Sequence, residues 1–157
     1  MRSIILSLVA GGAAAIAVAA PKATPDGAPM SGDHAPLMVS LQDMTWAELP
    51  ERKGMQLAVL SGDPKTAAYT QMRRVLAGTD NPPHTHSSEI TNVVISGTWY
   101  TGADAASVRD FGPGSVVRMP ADWTHVSGCR AGSDCLLYQD GKGKFDFKPV
   151  TEASPRK

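Results

Sequence analysis

From Trp46 onward, short apolar runs alternate with turn residues, and no long segment shows the spacing of about 3.6 residues that marks an amphipathic helix. Gly, Pro, Asn or Asp occupies the positions between the runs, where the backbone has to turn. The pattern therefore predicts an all-β domain. The predicted strands are residues 56–60, 68–76, 89–96, 99–101, 107–111, 115–119, 124–127, 136–139 and 145–149.

The N-terminal segment has the pattern of a secretory signal peptide. Arg2 supplies a positive charge, residues 4–20 carry none, and Ala17-Val18-Ala19 offers the small residues that signal peptidase reads. We expect a signal peptide over residues 1–19 and a periplasmic or secreted protein that keeps no stable membrane anchor after cleavage. An uncleaved anchor is the alternative, since the apolar run is near the lower length limit for spanning a bilayer.

The remaining chain has the length of one domain. Residues 20–43 are rich in Pro and Gly and predict a flexible linker. Residues 44–150 are the expected single folded domain, and residues 151–157 the expected disordered tail.

The charge balance argues against one class of partner. The chain carries 15 Lys and Arg against 15 Asp and Glu, with no basic stripe, so nucleic acid is not an expected partner. No nucleophile motif such as Gly-x-Ser-x-Gly and no phosphate-binding glycine loop occurs. Any catalysis would rest on a metal.

The two cysteines are compatible with export. Cys129 and Cys135 flank a polar, turn-forming stretch. In an oxidising compartment this spacing predicts a disulfide that closes a hairpin loop between adjacent strands. A pair of free thiols is the main alternative, because two cysteines without further ligands make a poor metal site.

Three of the four histidines fall in two short segments, the first after Pro82-Pro83 and the second after Pro120. His84 and His86 are two positions apart, so an extended strand sends both imidazoles to one face, where they can bind one metal ion. His125 is the expected third ligand. Imidazole nitrogens suit Fe, Zn, Mn and Ni, which leaves the metal's identity open. Two unconnected surface histidines are the less favoured reading.

These two segments resemble the two motifs of the cupin superfamily. The matching residues are Gly78, His84, His86 and Gly97 in the first segment, and Gly114, Pro120 and His125 in the second. The second segment departs from its motif at Asp122, in place of glycine, and at Cys129, in place of asparagine. The resemblance implies a double-stranded β-helix, the jelly-roll barrel of cupins, with a ligand-holding interior.

A wider resemblance covers about residues 44–150. The stretches 58–64, 93–98, 135–138 and 144–149 look like those of small bacterial cupins of unknown function, which are similar to the cupin domain of ChrR-type anti-sigma factors. The helical, zinc-binding domain with which those factors bind their sigma factor has no counterpart in this sequence. The resemblance implies a fold and a metal, and it implies little about the substrate.

The acidic ligand of the cupin motif has no clear counterpart. Counting from His86, Ile90 stands at the usual glutamate position and Glu89 comes one residue too early. Regular alternation turns Ile90 inward and Glu89 outward. A bulge at Ser87-Ser88 would instead deliver Glu89 to the metal as a fourth ligand. Alternation favours the three-histidine site.

Ile90, Asn92 and Trp123 are the candidate pocket residues. Alternation puts Ile90 and Asn92 on the histidine face, and Trp123 precedes His125 by two residues on a loop expected at the mouth of the cavity.

Arg73 and Arg74 are neighbours in a predicted strand, so one should face inward. An inward arginine is a candidate for binding a substrate carboxylate. The alternative, which we favour on sequence alone, puts both on a solvated face or at an interface.

Two functional hypotheses follow. The first is an exported, three-histidine metal-dependent enzyme that acts on a small molecule in the manner of a dioxygenase. The second is a non-catalytic cupin that binds a small molecule or a metal, since a fold does not fix a function. Homodimerisation stays open.

Overall fold

The computed structural model describes residues 36–50 and 52–150. The predicted signal peptide, most of the predicted linker and the predicted tail lie outside these residues, and the domain boundaries stay predictions. Within the predicted linker, Leu41–Asp43 forms a short 3-10 helix. Over the two described ranges, no helix has the length and apolar character needed to cross a bilayer.

Apart from the short 3-10 helix, the regular secondary structure of the described residues is all strand. Their bounds are β1 (Ala47–Glu48), β2 (Met55–Gly62), β3 (Tyr69–Val75), β4 (Asp80–Thr85), β5 (Ile90–Ser96), β6 (Trp99–Gly102), β7 (Arg109–Phe111), β8 (Val116–Met119), β9 (His125–Cys129), β10 (Cys135–Gly141) and β11 (Lys148–Pro149).

The strands form two antiparallel sheets. The larger sheet has six strands in the order β1-β2-β3-β10-β5-β8, and the smaller has five in the order β11-β4-β9-β6-β7. From β3 onward the chain crosses repeatedly from one sheet to the other: β3 and β5 belong to the larger sheet, and β4, which lies between them in sequence, belongs to the smaller. This arrangement is the jelly roll of a cupin, and it confirms the predicted all-β fold.

The core lies on the inner faces of the sheets because side chains alternate along each strand. Val75, Val94 and Leu137 in the larger sheet and Trp99 in the smaller sheet are each at most 1% exposed. The alternation of apolar and polar residues along the strands therefore arises because each sheet buries one of its two faces.

The predicted strands omit β1 and β4 and extend β11 too far. No strand was predicted between residues 76 and 89, but β4 begins at Asp80 and runs through Pro82 and Pro83. Proline fixes φ at a value that extended backbone accepts, so the two prolines do not force a turn. Conversely, the predicted strand at 145–149 shortens to β11, because only Lys148 and Pro149 pair with β4.

Cys129 and Cys135 form a disulfide, with their Cα atoms 5.8 Å apart. The predicted hairpin is wrong: Cys129 ends β9 in the smaller sheet and Cys135 begins β10 in the larger sheet. The bond therefore links the two sheets across a crossing loop. Both cysteines are at most 1% exposed.

Candidate metal centre

The structure brings the three predicted histidines together. His84 on β4 lies directly opposite His125 on β9, and His86 follows β4 by one residue. The ring centroid of His84 lies 4.1 Å from that of His125 and 5.0 Å from that of His86. One potential ligand atom from each histidine lies within 4.8 Å of the other two. All three residues are buried, at 1–4% exposure.

An irregularity in β4 sets the phase of the histidines. The register between β4 and β9 shifts between Asn81 and His84, where Pro82 and Pro83 stand. The extra residue lets Asn81 and His84 both point inward although they are three positions apart. Asn81 binds Ser127 of β9 through its side-chain amide, at 2.9 Å, which anchors the strand beside the site.

Each imidazole is held by its Nδ1 atom. Nδ1–H donates to a main-chain carbonyl in all three cases: His84 to Pro82 at 2.7 Å, His86 to Asp146 at 2.5 Å, and His125 to Trp123 at 2.9 Å. These bonds fix the tautomer, which leaves each Nε2 lone pair free. Nε2 of His125 is buried and has no hydrogen-bond partner. Metal-binding histidines are oriented in this way, so the donor set fits a divalent transition metal.

Burial keeps the imidazoles neutral. Desolvation, assisted by the neighbouring His125, lowers the pKa of His84 to about 3. Desolvation also lowers the pKa of His86 to about 4, and it lowers the pKa of His125. Neutral imidazole is the form that binds a metal. The cluster is therefore in its ligand form at neutral pH.

Aromatic rings from the segment between β10 and β11 cover the histidines. Phe147 stacks on His84 at 4.1 Å, and Phe145 lies 5.4 Å from His86. Between them, the carboxylate of Asp146 accepts hydrogen bonds from the main-chain N–H and hydroxyl of Ser87, at 2.7 and 2.5 Å. These bonds hold the segment against the loop that follows His86.

Trp123 and Arg52 extend this aromatic surround. The Trp123 ring stacks on His125 at 5.0 Å, with 14° between the planes. The guanidinium of Arg52 lies 3.7 Å above the ring of Phe147, so the ring is held between a cation and the imidazole of His84. Each of the two histidines thus has a neighbouring ring that restricts its rotation.

The structure places the other predicted site residues, Glu89, Ile90 and Asn92, outside the group of converging ligand atoms. Glu89 is half-buried, and it does not belong to the group of converging ligand atoms. Ile90 is 1% exposed and packs in the hydrophobic core. Asn92 is fully buried, and its Oδ1 accepts a hydrogen bond from Gln139 at 3.0 Å. Ile90 and Asn92 alternate inward along β5, but this alternation does not run on from His86, because the chain bends at residues 87–88 as it passes from β4 in the smaller sheet to β5 in the larger one.

A cleft of 670 Å³ lies beside the covered histidines, lined by apolar residues that include Leu49, Leu57 and Phe145. None of the three histidines lines it. Phe145 separates the two regions, since its ring contacts His86 and also forms the wall of the cleft.

Sequence reasoning missed several residues around the site. The carbonyl of Asp146, which holds His86, is 60 residues away in sequence. The alternation Phe145-Asp146-Phe147 was a usable signal, because it puts both rings on one side of an extended segment. Gln71 and Gln139 were also missed, although polar residues at inward positions of predicted strands mark a polar interior.

Solved structures with the same fold are similar over most of the domain. The polyketide cyclase RemF from Streptomyces resistomycificus matches with a TM-score of 0.62 and 18% identity, over 74% of this chain and 87% of that chain. An RmlC-like cupin from Ralstonia eutropha JMP134 matches with a TM-score of 0.59 and 18% identity, over 74% and 77% of the two chains. At these identities the likeness shows the fold alone.

The anti-sigma factor ChrR is also similar in structure. The complex of SigE and ChrR from Rhodobacter sphaeroides matches with a TM-score of 0.53 and 22% identity, over 66% of this chain and 52% of that chain. No curated protein matches the sequence. Residues 34–142, more than half of the chain, match the family model of the ChrR cupin-like domain. The chain therefore belongs to the family of ChrR cupin-like domains.

Proposed function

We propose that this protein is a metal-dependent enzyme that acts on a small molecule, with Nε2 of His84, His86 and His125 as its metal ligands. The observation that carries the proposal is the set of three Nδ1–H bonds to main-chain carbonyls, which leaves Nε2 as the free nitrogen of each ring in a cluster of three converging histidines. Fe, Zn, Mn or Ni suits this donor set. A metal with three protein ligands would supply Lewis-acid or redox chemistry at its open positions, and dioxygenase-like oxidation is the reaction class we expect.

The chain's own residues would orient the ligands and limit access by water. Trp123 and Phe147 stack on two of the imidazoles, and Ile90 keeps the neighbouring interior apolar. Low dielectric surroundings strengthen the electrostatic interactions of a bound cation. The proposed site has three ligands, without Glu89, because that residue lies outside the converging group.

A non-catalytic binding protein is the second candidate. The aromatic cover over His84 and His86 favours it, because Phe145 and Phe147 lie where a substrate would approach these two rings. An enzyme needs these rings to move or the ligand to enter from another side. Oxygen consumption with candidate substrates separates the two functions, since a binding protein consumes none.

The proposal includes export. It is supported by the signal-peptide pattern at residues 1–19 and by the buried disulfide, which is compatible with an oxidising compartment.

Elemental analysis of the purified protein tests the metal centre. We expect about one transition-metal ion per chain, and severe loss of it in His84→Ala, His86→Ala or His125→Ala with the fold retained by circular dichroism. Glu89→Gln is the matched control, since it removes a nearby potential ligand outside the cluster and should keep its metal. Metal loss in Glu89→Gln would refute the three-histidine site and support a four-ligand one. Full metal content in the histidine variants would refute the site altogether.

A further inference from the structure

The inner face of the larger sheet is polar beside the histidine cluster. Alternation along β3 turns Tyr69, Gln71 and Arg73 inward, and each is at most 5% exposed. Buried polar side chains carry a desolvation cost unless they find partners. The hydrogen bonds of these buried side chains therefore show which polar atoms in the interior lack a partner.

Three amides form a row across neighbouring strands. Gln71 on β3 pairs with Gln139 on β10, which pairs with Asn92 on β5. Nε2 of Gln71 donates to Gln139 at 2.6 Å, and Nε2 of Gln139 donates to Asn92 at 3.0 Å. The row ends in two buried atoms without partners, the acceptor Oε1 of Gln71 and the donor Nδ2 of Asn92.

Arg73 is a buried cation without a counter-ion among the described residues. Its side-chain hydrogen bond goes to the thioether sulfur of Met55, a weak acceptor, at 3.2 Å. Its Nε is buried and has no partner. Within residues 36–50 and 52–150, no Asp or Glu carboxylate lies within 4.0 Å of this guanidinium. A buried charge left in this way is costly, and an anion would relieve the cost.

Side-chain contacts connect the polar inner face of the larger sheet to the histidine cluster. Tyr69 packs edge-on against Phe145 at 6.3 Å, and Phe145 lies against His86. The charge of Arg73 also lowers the pKa of His86 and His125, although desolvation lowers both more strongly and the main-chain hydrogen bonds raise both. Arg73 is buried on the larger sheet, and His84 and His125 are buried on the smaller sheet, so they face the same interior.

We infer that Arg73 forms an anion-binding subsite, and that the small molecule bound beside the histidines carries a carboxylate. The planar guanidinium presents paired donors that match a carboxylate. The single positive charge of Arg73 matches a monoanion. The inference rests on the proposed function in that the carboxylate belongs to the ligand of the metal centre.

Thermal-shift and calorimetric titrations of the metal-free, full-length mature protein test the subsite. The probes are acetate, pyruvate and benzoate, with acetamide and benzamide as neutral matches and inorganic phosphate as another anion. At least one carboxylate should bind and raise the unfolding temperature, whereas its amide should not. Arg73→Gln should weaken that binding about 30-fold or more, as expected when one member of a buried charge pair is lost.

Arg74→Gln is the matched control. Arg74 is the next residue of the same strand, but it lies over Trp46 and binds Gln56 instead of facing the interior. The Arg74→Gln variant should bind the carboxylates with the same affinity as the unaltered protein. Equal weakening in both variants would indicate a general charge effect and overturn the subsite, as would binding that Arg73→Gln leaves unchanged. Binding of phosphate in place of every carboxylate would overturn the assigned ligand class.

Two further measurements separate the remaining explanations. The ligand-free Arg73→Gln protein should unfold at the same or a higher temperature, whereas a purely structural arginine would lower it. If this variant fails to fold, Arg73→Lys keeps the charge without the planar fork, and it should bind carboxylates more weakly; unchanged affinity would overturn the inference. Zinc titration is independent: failure to bind zinc with carboxylate binding intact would refute the metal centre and leave the subsite.

Discussion

At the scale of single residues, burial decides the chemistry of the site. The same imidazoles on a solvated surface would titrate near pH 6.5, but desolvation holds His84 and His86 neutral to much lower pH. The main-chain carbonyls then select which nitrogen keeps its proton. Two local effects therefore turn ordinary histidines into an oriented set of potential metal ligands.

This burial predicts how the stability of the metal-free protein depends on pH. The unfolded chain protonates its histidines near pH 6.5, whereas the folded chain protonates His84 and His86 only near pH 3 and 4. Between these values the unfolded state binds more protons, so the free energy of unfolding falls as pH drops from 6.5 toward 4. We expect a loss of about 2 kcal/mol per histidine by pH 5.

Urea unfolding at pH 7.5 and pH 5 measures this loss. His84→Gln should reduce the difference between the two pH values, because one of the depressed groups is gone. His34→Gln, which changes the histidine outside both motif segments, is the control. A pH difference that His84→Gln leaves intact would contradict the assigned cause.

At the scale of elements, the turns fix where the strands end. Gly78 and Gly97 both belong to the first cupin-like segment, and both have positive φ, at 76° and 77°. Asp122 takes the place of the motif glycine with φ at 57°, which aspartate tolerates better than most residues. The superfamily's glycine positions thus correspond to left-handed turns.

Replacing the two glycines with alanine should separate turn strain from close packing. A Cβ at Gly78 would meet nothing within 4 Å, whereas one at Gly97 would lie 2.6 Å from the carbonyl oxygen of Asp134. Gly78→Ala should lower the free energy of unfolding by about 1 kcal/mol, from left-handed strain. Gly97→Ala should lower it by about 2–4 kcal/mol, since the steric clash adds to the strain. Urea unfolding measures both, and equal losses would contradict the packing argument.

At the scale of the whole molecule, the two sheets contribute different chemistry. The smaller sheet carries His84 and His125, and the larger sheet carries the amide row and Arg73. The disulfide joins the two sheets at the start of β10. The interior between them therefore has a cluster of neutral imidazoles on one side and a polar, cationic wall on the other.

Export and oxidation can be tested together on one preparation of the protein. Chain isolated from the periplasm should begin at Ala20 by mass spectrometry and show no titratable thiol under denaturing, non-reducing conditions. The same mature chain made in a reducing cytosol should show both thiols, and its free energy of unfolding should be lower by about 2–3 kcal/mol. Periplasmic protein that retains residues 1–19, or that carries free thiols, would contradict export with oxidation.

The sequence by itself determined the fold class, the three histidines and the cysteine pair. Strand positions, turn residues and the His84-x-His86 spacing are local patterns, and local backbone preferences act between near neighbours in the chain. These features depend on residues within a few positions of one another. The alternation expected from His86 to Ile90 does not hold, because the chain bends at residues 87–88 and changes sheet.

Only the tertiary structure decided which sheet each strand joins, and therefore what surrounds the site. Cys129 and Cys135 are close in sequence but lie in different sheets, whereas Asp146 holds His86 from 60 residues away. The row from Gln71 through Gln139 to Asn92 likewise depends on strand pairing across the larger sheet. Such pairings follow from how two apolar faces are buried together, which no short stretch of sequence encodes.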